Sequence, residues 1–149
     1  MASTYTELYY HFVWATKDRN LFIVPALEKA LFDFIRAKCE ELRITIYALN
    51  GMPDHVHLAC ALPTNLSIAE FMKTIKGTSA HVINHLPNRD ELLYWQPGYG
   101  ALTFTKRDLP RISAYIDNQK RHHADGSLMA RLEQVTSNES TALGNRLME

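Results

Sequence analysis

The 149 residues carry 16 basic and 16 acidic side chains and no net charge, with 46% apolar and 21% charged residues. That is the composition of one ordinary globular domain, large enough for its own hydrophobic core. It argues against an unspecific coat for duplex DNA, whose affinity rests on phosphate neutralisation, and no apolar run reaches the ~18 residues of a membrane span. Cys39 and Cys60 make no disulfide framework. With no signal-peptide pattern at the N-terminus, they suit a reduced, cytoplasmic protein.

Residues Tyr5 to Thr16 are rich in aromatic and β-branched types, which predicts a long first strand. Lys17-Asp18-Arg19-Asn20 follows as a polar loop able to meet phosphates. From Pro25 to Leu42 the residues Leu27, Leu31, Phe34, Ile35, Cys39 and Leu42 recur at spacings of three and four, giving a scaffold helix opened by a first-turn proline. Ile44 to Met52 reads as a strand, Asn50 to Asp54 as a turn, and a further strand runs to about Leu62, so an antiparallel hairpin is expected. On that strand His55 and His57 share one face, because side chains alternate along a strand. Val56 and Leu58 face a core, and Cys60 lies on the side away from the histidines. Two imidazoles roughly 7 Å apart along the backbone can converge on one divalent ion. A lone His-x-His is also compatible with a merely polar strand face, and the pair still needs a third ligand.

Ser67 is placed as the cap of a second helix reaching about Leu86, with Ile68, Phe71, Met72, Ile75, Val82, Ile83 and Leu86 on its apolar stripe. Lys73 and Lys76 fall on a more exposed side that suits a phosphate backbone. His81 and His85 are spaced i, i+4, but Val82 stands where a zinc-protease motif requires glutamate, so they read as surface residues. The loop Trp95-Gln96-Pro97-Gly98-Tyr99-Gly100 has too few glycines to cradle phosphates, and its tryptophan is assigned to the core. Ala101 to Thr105 is the last strand. Asp108 then caps a helix with Leu109, Ile112 and Ile116 inside and with Tyr115 and Gln119 as i, i+4 neighbours on a polar edge that Arg111 and His122 extend. The domain is placed at residues 1–124. Residues 125–149 are expected to form a tail with a short helix at 128–135 and a mobile end.

Five landmarks appear in order: Tyr-His-Phe-Val-Trp-Ala-Thr-Lys, Met-Pro-Asp-His-Val-His-Leu, Lys-Gly-Thr-Ser, Trp-Gln-Pro-Gly-Tyr-Gly-Ala and Tyr-Ile-Asp-Asn-Gln-Lys-Arg-His-His. Over residues 5 to 124 the chain closely resembles the single-tyrosine transposases of bacterial insertion sequences. These belong to the His-hydrophobic-His (HUH) nucleases, and the REP-associated tyrosine transposases are a domesticated branch. The resemblance implies an α+β fold, an antiparallel β-sheet with packed helices of the RNA-recognition-motif or ferredoxin-like kind. It also implies His55, His57 and Gln119 as metal ligands, Tyr115 as nucleophile, a homodimer, and single-stranded DNA with hairpins at the element ends as substrate.

A phenol, with a pKa of about 10, is a poor nucleophile at neutral pH. A divalent ion compensates by polarising the scissile phosphate. Mg²⁺ prefers oxygen ligands and Mn²⁺ accepts imidazole more readily, so either is expected to serve. The implied activity is metal-dependent cleavage and rejoining through a 5′-phosphotyrosine. Lys17, Arg19, Lys73 and Lys76 are the candidates for DNA contact. The competing readings are a domesticated nuclease acting on chromosomal hairpin repeats, a non-catalytic nucleic-acid-binding module of the same shape, and a hydrolase of small phosphoesters.

Overall fold

The computed structural model describes residues 3–137; the expected mobile end, 138–149, lies outside the described residues. In chain order the elements are β1 (Tyr9–Ala15), α1 (Pro25–Glu41), β2 (Thr45–Met52), β3 (His55–Ala61), α2 (Ile68–Asn84), β4 (Gly100–Phe104), α3 (Leu109–Asp117), α4 (Gln119–Asp125) and α5 (Ala130–Glu133). Short 3-10 turns occupy Lys17–Arg19 and Lys106–Asp108. The four strands form one antiparallel sheet in the order β2-β3-β1-β4. This is the expected α+β architecture. Among the described residues no helix is long and apolar enough to cross a membrane.

The period-two pattern of β3 organises both layers. Val56, Leu58 and Cys60, with Phe12 and Trp14 of β1, pack against Leu31 and Ile35 of α1 and Phe71, Met72 and Ile75 of α2. On the opposite face Ala59 of β3 and Ala48 of β2 lie under Ile112, Tyr115 and Ile116 of α3 and Leu132 of α5. His55 and His57 share the Ala59 face by alternation, and both are buried. Central β3 is therefore covered on both sides, as a ferredoxin-like sheet with additional C-terminal helices requires.

Two glycines permit close backbone approaches. A Cβ on Gly51 would stand 2.2 Å from the His55 carbonyl oxygen, across the β2–β3 hairpin. A Cβ on Gly100 would stand 2.1 Å from the Gln134 carbonyl oxygen, so a side chain there would lift the C-terminal segment off β4.

Several expectations shift in detail. The first strand begins at Tyr9, and the tail helix is shorter than expected, covering only Ala130–Glu133. Phe32 is in the core while Phe34 is only half-buried, and Val82 is exposed. Ser67 caps α2 as expected, its hydroxyl accepting the Glu70 N–H at 3.1 Å. Asp108 stands at the N-cap position of α3 as expected, but it also closes a 3-10 turn and its side chain accepts no capping bond.

The expected single last helix breaks at Asn118, whose side-chain amide donates to the Ala114 carbonyl at 2.8 Å. Lys120 fixes the angle of the second half. Its ammonium donates to Glu28 Oε1 at 2.9 Å, Asn50 Oδ1 at 2.9 Å and the Gly51 carbonyl at 2.8 Å. Residues 125–137 do not stand apart from the domain, for Leu132 and Val135 are buried against the sheet.

Leu58 is fully buried between the sheet and its two long helices. Leu58→Ala is expected to cost about 2–5 kcal/mol, through lost burial and the cavity left behind. Urea denaturation checks this, with a lower midpoint at unchanged slope as the expected result.

Candidate active site

β3 sets His55 and His57 side by side on the face that α3, α4 and α5 cover, with ring centroids 4.9 Å apart. Into the same space α3 sends Tyr115, α4 sends Gln119 and His123, and α5 sends Glu133. The Glu133 carboxylate is the hub. Its Oε2 lies 3.0 Å from His57 Nε2 and 3.3 Å from His55 Nε2. Its Oε1 accepts the Tyr115 hydroxyl at 2.5 Å and the Gln119 side-chain N–H at 3.2 Å, and lies 3.4 Å from His123 Nε2. Gln119 Oε1 points at His55 Nε2 from 3.3 Å. The Tyr115 hydroxyl also accepts the Met129 N–H at 3.1 Å, and the His122 ring stacks on the phenol at 4.6 Å.

Each histidine of the pair is oriented from behind. Asp54, a carboxylate that only accepts, takes the Nδ1–H of His55 at 2.7 Å, which turns Nε2 inward. His57 Nδ1 meets Nε2 of His11, a fully buried β1 side chain, at 2.9 Å. For His57 Nε2 to offer a lone pair, its proton must sit on Nδ1 and be donated to His11. Among the described residues the other nitrogen of His11, also buried, has no partner. Such backing partners fix ring orientation and tautomer in metal sites.

The electrostatics follow from burial around one carboxylate. Burial, with the neighbouring His57, lowers His11 to about 3, so it is neutral at pH 7. His57 and His123 are also lowered, burial outweighing the attraction of Glu133. Burial would depress His55 too, but its hydrogen bonds to Asp54 and Glu133 prevail and lift it to about 9. Glu133 itself would be raised by burial, yet the hydrogen bonds from His55 and His57 hold it far below the usual carboxylate range. Burial and the Glu133 hydrogen bond push the Tyr115 phenol well above its ordinary value.

The donor chemistry fits a divalent cation. One ligand atom from each of His55, His57, His123 and Glu133 lies within 4.8 Å of all the others, and Gln119 adds an amide oxygen beside them.

Of the residues expected from the sequence, His55, His57, Tyr115 and Gln119 come together within one chain. The basic candidates separate. Arg19 pairs with Asp54 at 3.8 Å, directly behind His55, and exposed Lys17 is in the same turn. Lys73 and Lys76 lie on α2, across the sheet from the histidines. Lys76 is tied to the Gln96 and Gly98 carbonyls at 2.8 and 2.9 Å, which makes it a clamp on that loop. His81 and His85 are not in the site, as expected.

Three site residues escaped the sequence reading. His123 continues the i, i+4 series from Tyr115 and Gln119 and was visible by that spacing. His11 was legible only as a member of an aromatic strand. Glu133, in a four-residue helix of the tail, carried no local signal.

Two expectations follow. His11→Phe removes the partner of His57 Nδ1 and is expected to weaken Mn²⁺ binding about 10–100-fold while the fold persists, measured by calorimetric titration. The second concerns pH in the metal-free protein. His55 rises from 6.5 to about 9 on folding, so its stabilisation is complete below pH 6.5 and is lost as pH rises through about 9. With chelator present, the unfolding free energy should fall across that window in wild type and much less in His55→Gln. A flat wild-type profile would contradict a charged His55.

The sequence matches the family of IS200-like transposases over residues 4–119. It is 30% identical over 118 residues to the ISDra2 transposase TnpA of Deinococcus radiodurans, covering 76% of this chain and 84% of that protein. It is 27% identical over 127 residues to the transposase for insertion sequence element IS200 of Salmonella typhimurium, covering 80% and 81%. A crystal structure assigned to a Deinococcus radiodurans R1 transposase superposes with a TM-score of 0.62 at 30% identity, over 80% of this chain and 95% of that one. A REP-associated tyrosine transposase bound to a REP hairpin shares the fold, with a TM-score of 0.62 at 19% identity over 83% and 73%.

Proposed function

The chain belongs to the IS200-like transposases, and on that premise we propose that it cleaves and rejoins single-stranded DNA through a 5′-phosphotyrosine on Tyr115, recognising hairpins at the ends of the segment it moves. The observation that carries the reading is the span of one oxyanion. The Glu133 carboxylate touches the Tyr115 hydroxyl through one oxygen and both histidine Nε2 atoms through the other. A scissile phosphate beside that carboxylate would lie within reach of the nucleophile and of a cation at the histidines. The REP-associated structure, bound to a hairpin, supports a hairpin partner.

His55, His57 and Gln119 are assigned as ligands of Mg²⁺ or Mn²⁺. When bound, the ion polarises the phosphate and offsets the charge that builds in the transition state. Tyr115 Oη attacks phosphorus and the bond to the 3′-oxygen breaks, leaving a tyrosine-linked 5′-phosphate and a free 3′-hydroxyl. Because the phosphodiester energy is retained, a second 3′-hydroxyl reverses the step without ATP. For attack, the phenol, 4% exposed, must exchange its bond to Glu133 Oε1 for the substrate. His122, stacked on the ring, holds its plane.

Lys17 and Arg19 border the histidine edge and are assigned to phosphate contacts. Lys73 is placed on a separate, outer surface. A homodimer belongs to the same reading, although Tyr115 already lies beside the histidines of its own chain, with a His57 ring-centroid distance of 6.2 Å.

The test uses labelled hairpin oligonucleotides from the gene's own flanks with Mn²⁺ or Mg²⁺ on a denaturing gel. Wild type is expected to give a metal-dependent covalent adduct. Tyr115→Phe should bind the hairpin equally and give none; cleavage by that variant at the wild-type rate would sink the assignment.

A further inference from the structure

We propose that Glu133 is itself a ligand of the cation, completing a set of two imidazoles, a carboxylate and the Gln119 amide oxygen, and that cation binding locks residues 129–135 onto the sheet. This rests on the assignment of His55 and His57 as ligands made above. The geometry is that of a coordination shell. His55 Nε2, His57 Nε2, Gln119 Oε1 and Glu133 Oε2 converge, with adjacent contacts of 3.0–3.3 Å. Neighbouring donors bound at ~2.1 Å to one ion stand ~3 Å apart.

The chemistry points the same way. Two imidazoles and an amide are all neutral, whereas hard divalent cations favour carboxylate oxygen. Among the described residues Glu133 supplies the one negative charge facing the histidine pair from the tail side. It is only 12% exposed, and among the described residues the groups within ion-pair distance of it are three imidazoles and no lysine or arginine. A carboxylate withdrawn that far from water needs a positive partner, the His55 imidazolium in the metal-free protein and the cation once it is bound.

The consequence for the tail is direct. A four-residue helix has no stability of its own. α5 is held by Leu132, by Val135 just beyond it and by Glu133, and the absent Cβ of Gly100 gives it room. An ion bonded to both β3 and Glu133 ties this segment to the central strand. Oε2 stays with the ion while Oε1 is free to release Tyr115.

The experiment is Mn²⁺ titration calorimetry on the full chain, with trypsin cleavage after exposed Arg131 as a second readout. Wild type is compared with Glu133→Ala, Glu133→Gln and His57→Ala. Expected are an affinity loss of at least ~10-fold in Glu133→Ala, a smaller loss in Glu133→Gln, and Mn²⁺ protection of Arg131 in wild type only. If His57→Ala loses binding while both Glu133 variants bind as tightly as wild type or tighter, the carboxylate is merely an occupant of the phosphate position. That result overturns the inference and leaves the histidine site standing. Wild-type affinity in His57→Ala overturns both. Should Glu133→Ala not fold, Glu133→Gln decides: unchanged affinity with unchanged protection rejects the ligand role.

Discussion

The site depends on a division of labour within each imidazole of β3. One ring nitrogen is taken by a partner behind it, Asp54 for His55 and His11 for His57, so the other is aimed into the space under α3, α4 and α5. A strand alone makes two histidines neighbours; it does not choose their rotamers or tautomers. Burying the strand on both faces removes water as an alternative partner, and the backing groups then have to be supplied by the fold. β1 does this for His57 because the central pairing sets Val13 opposite it, which brings His11 within reach. The hairpin turn does it for His55 through the preceding residue.

The helices that close the site are placed by bonds rather than by a continuous axis. The break at Asn118 lets α4 follow β2, and Lys120 joins that helix to Glu28, Asn50 and the Gly51 carbonyl. Tyr115 and Gln119 keep their common direction across the break. In the metal-free protein the imidazolium of His55 lies between the Asp54 and Glu133 carboxylates, so proton and cation compete for one space and affinity for the ion should rise with pH.

Much of this was legible in the sequence. The alternation around His55 and His57, the three-and-four spacing of α1, and the Tyr115–Gln119 pair each give a local, periodic signal. The ordered landmarks then carried the family. What stayed hidden depends on non-local contacts. Phe32 and Phe34 lie two residues apart in α1, and only the position of the sheet decides which of them is buried. Lys76 resembles a surface cation until the Gln96 and Gly98 carbonyls close on it. Glu133 belongs to a tail with no strong pattern, and its role depends on Gly100, 33 positions earlier, leaving space for the backbone. Separations of that kind leave no periodic trace.

The central claim is that Tyr115 carries the DNA, and the most direct measurement is to identify the residue in the covalent adduct. Wild-type protein would be reacted with its flank-derived hairpin and Mn²⁺, digested with trypsin and nuclease, and its peptides sequenced by mass spectrometry. The segment from Ile112 to Lys120 holds Tyr115 and Ser113 as its hydroxyl-bearing residues. A nucleotide mass on Tyr115 is the expected result. The same mass on Ser113 or on any other residue, or an adduct confined to another peptide, would contradict a mechanism centred on this tyrosine.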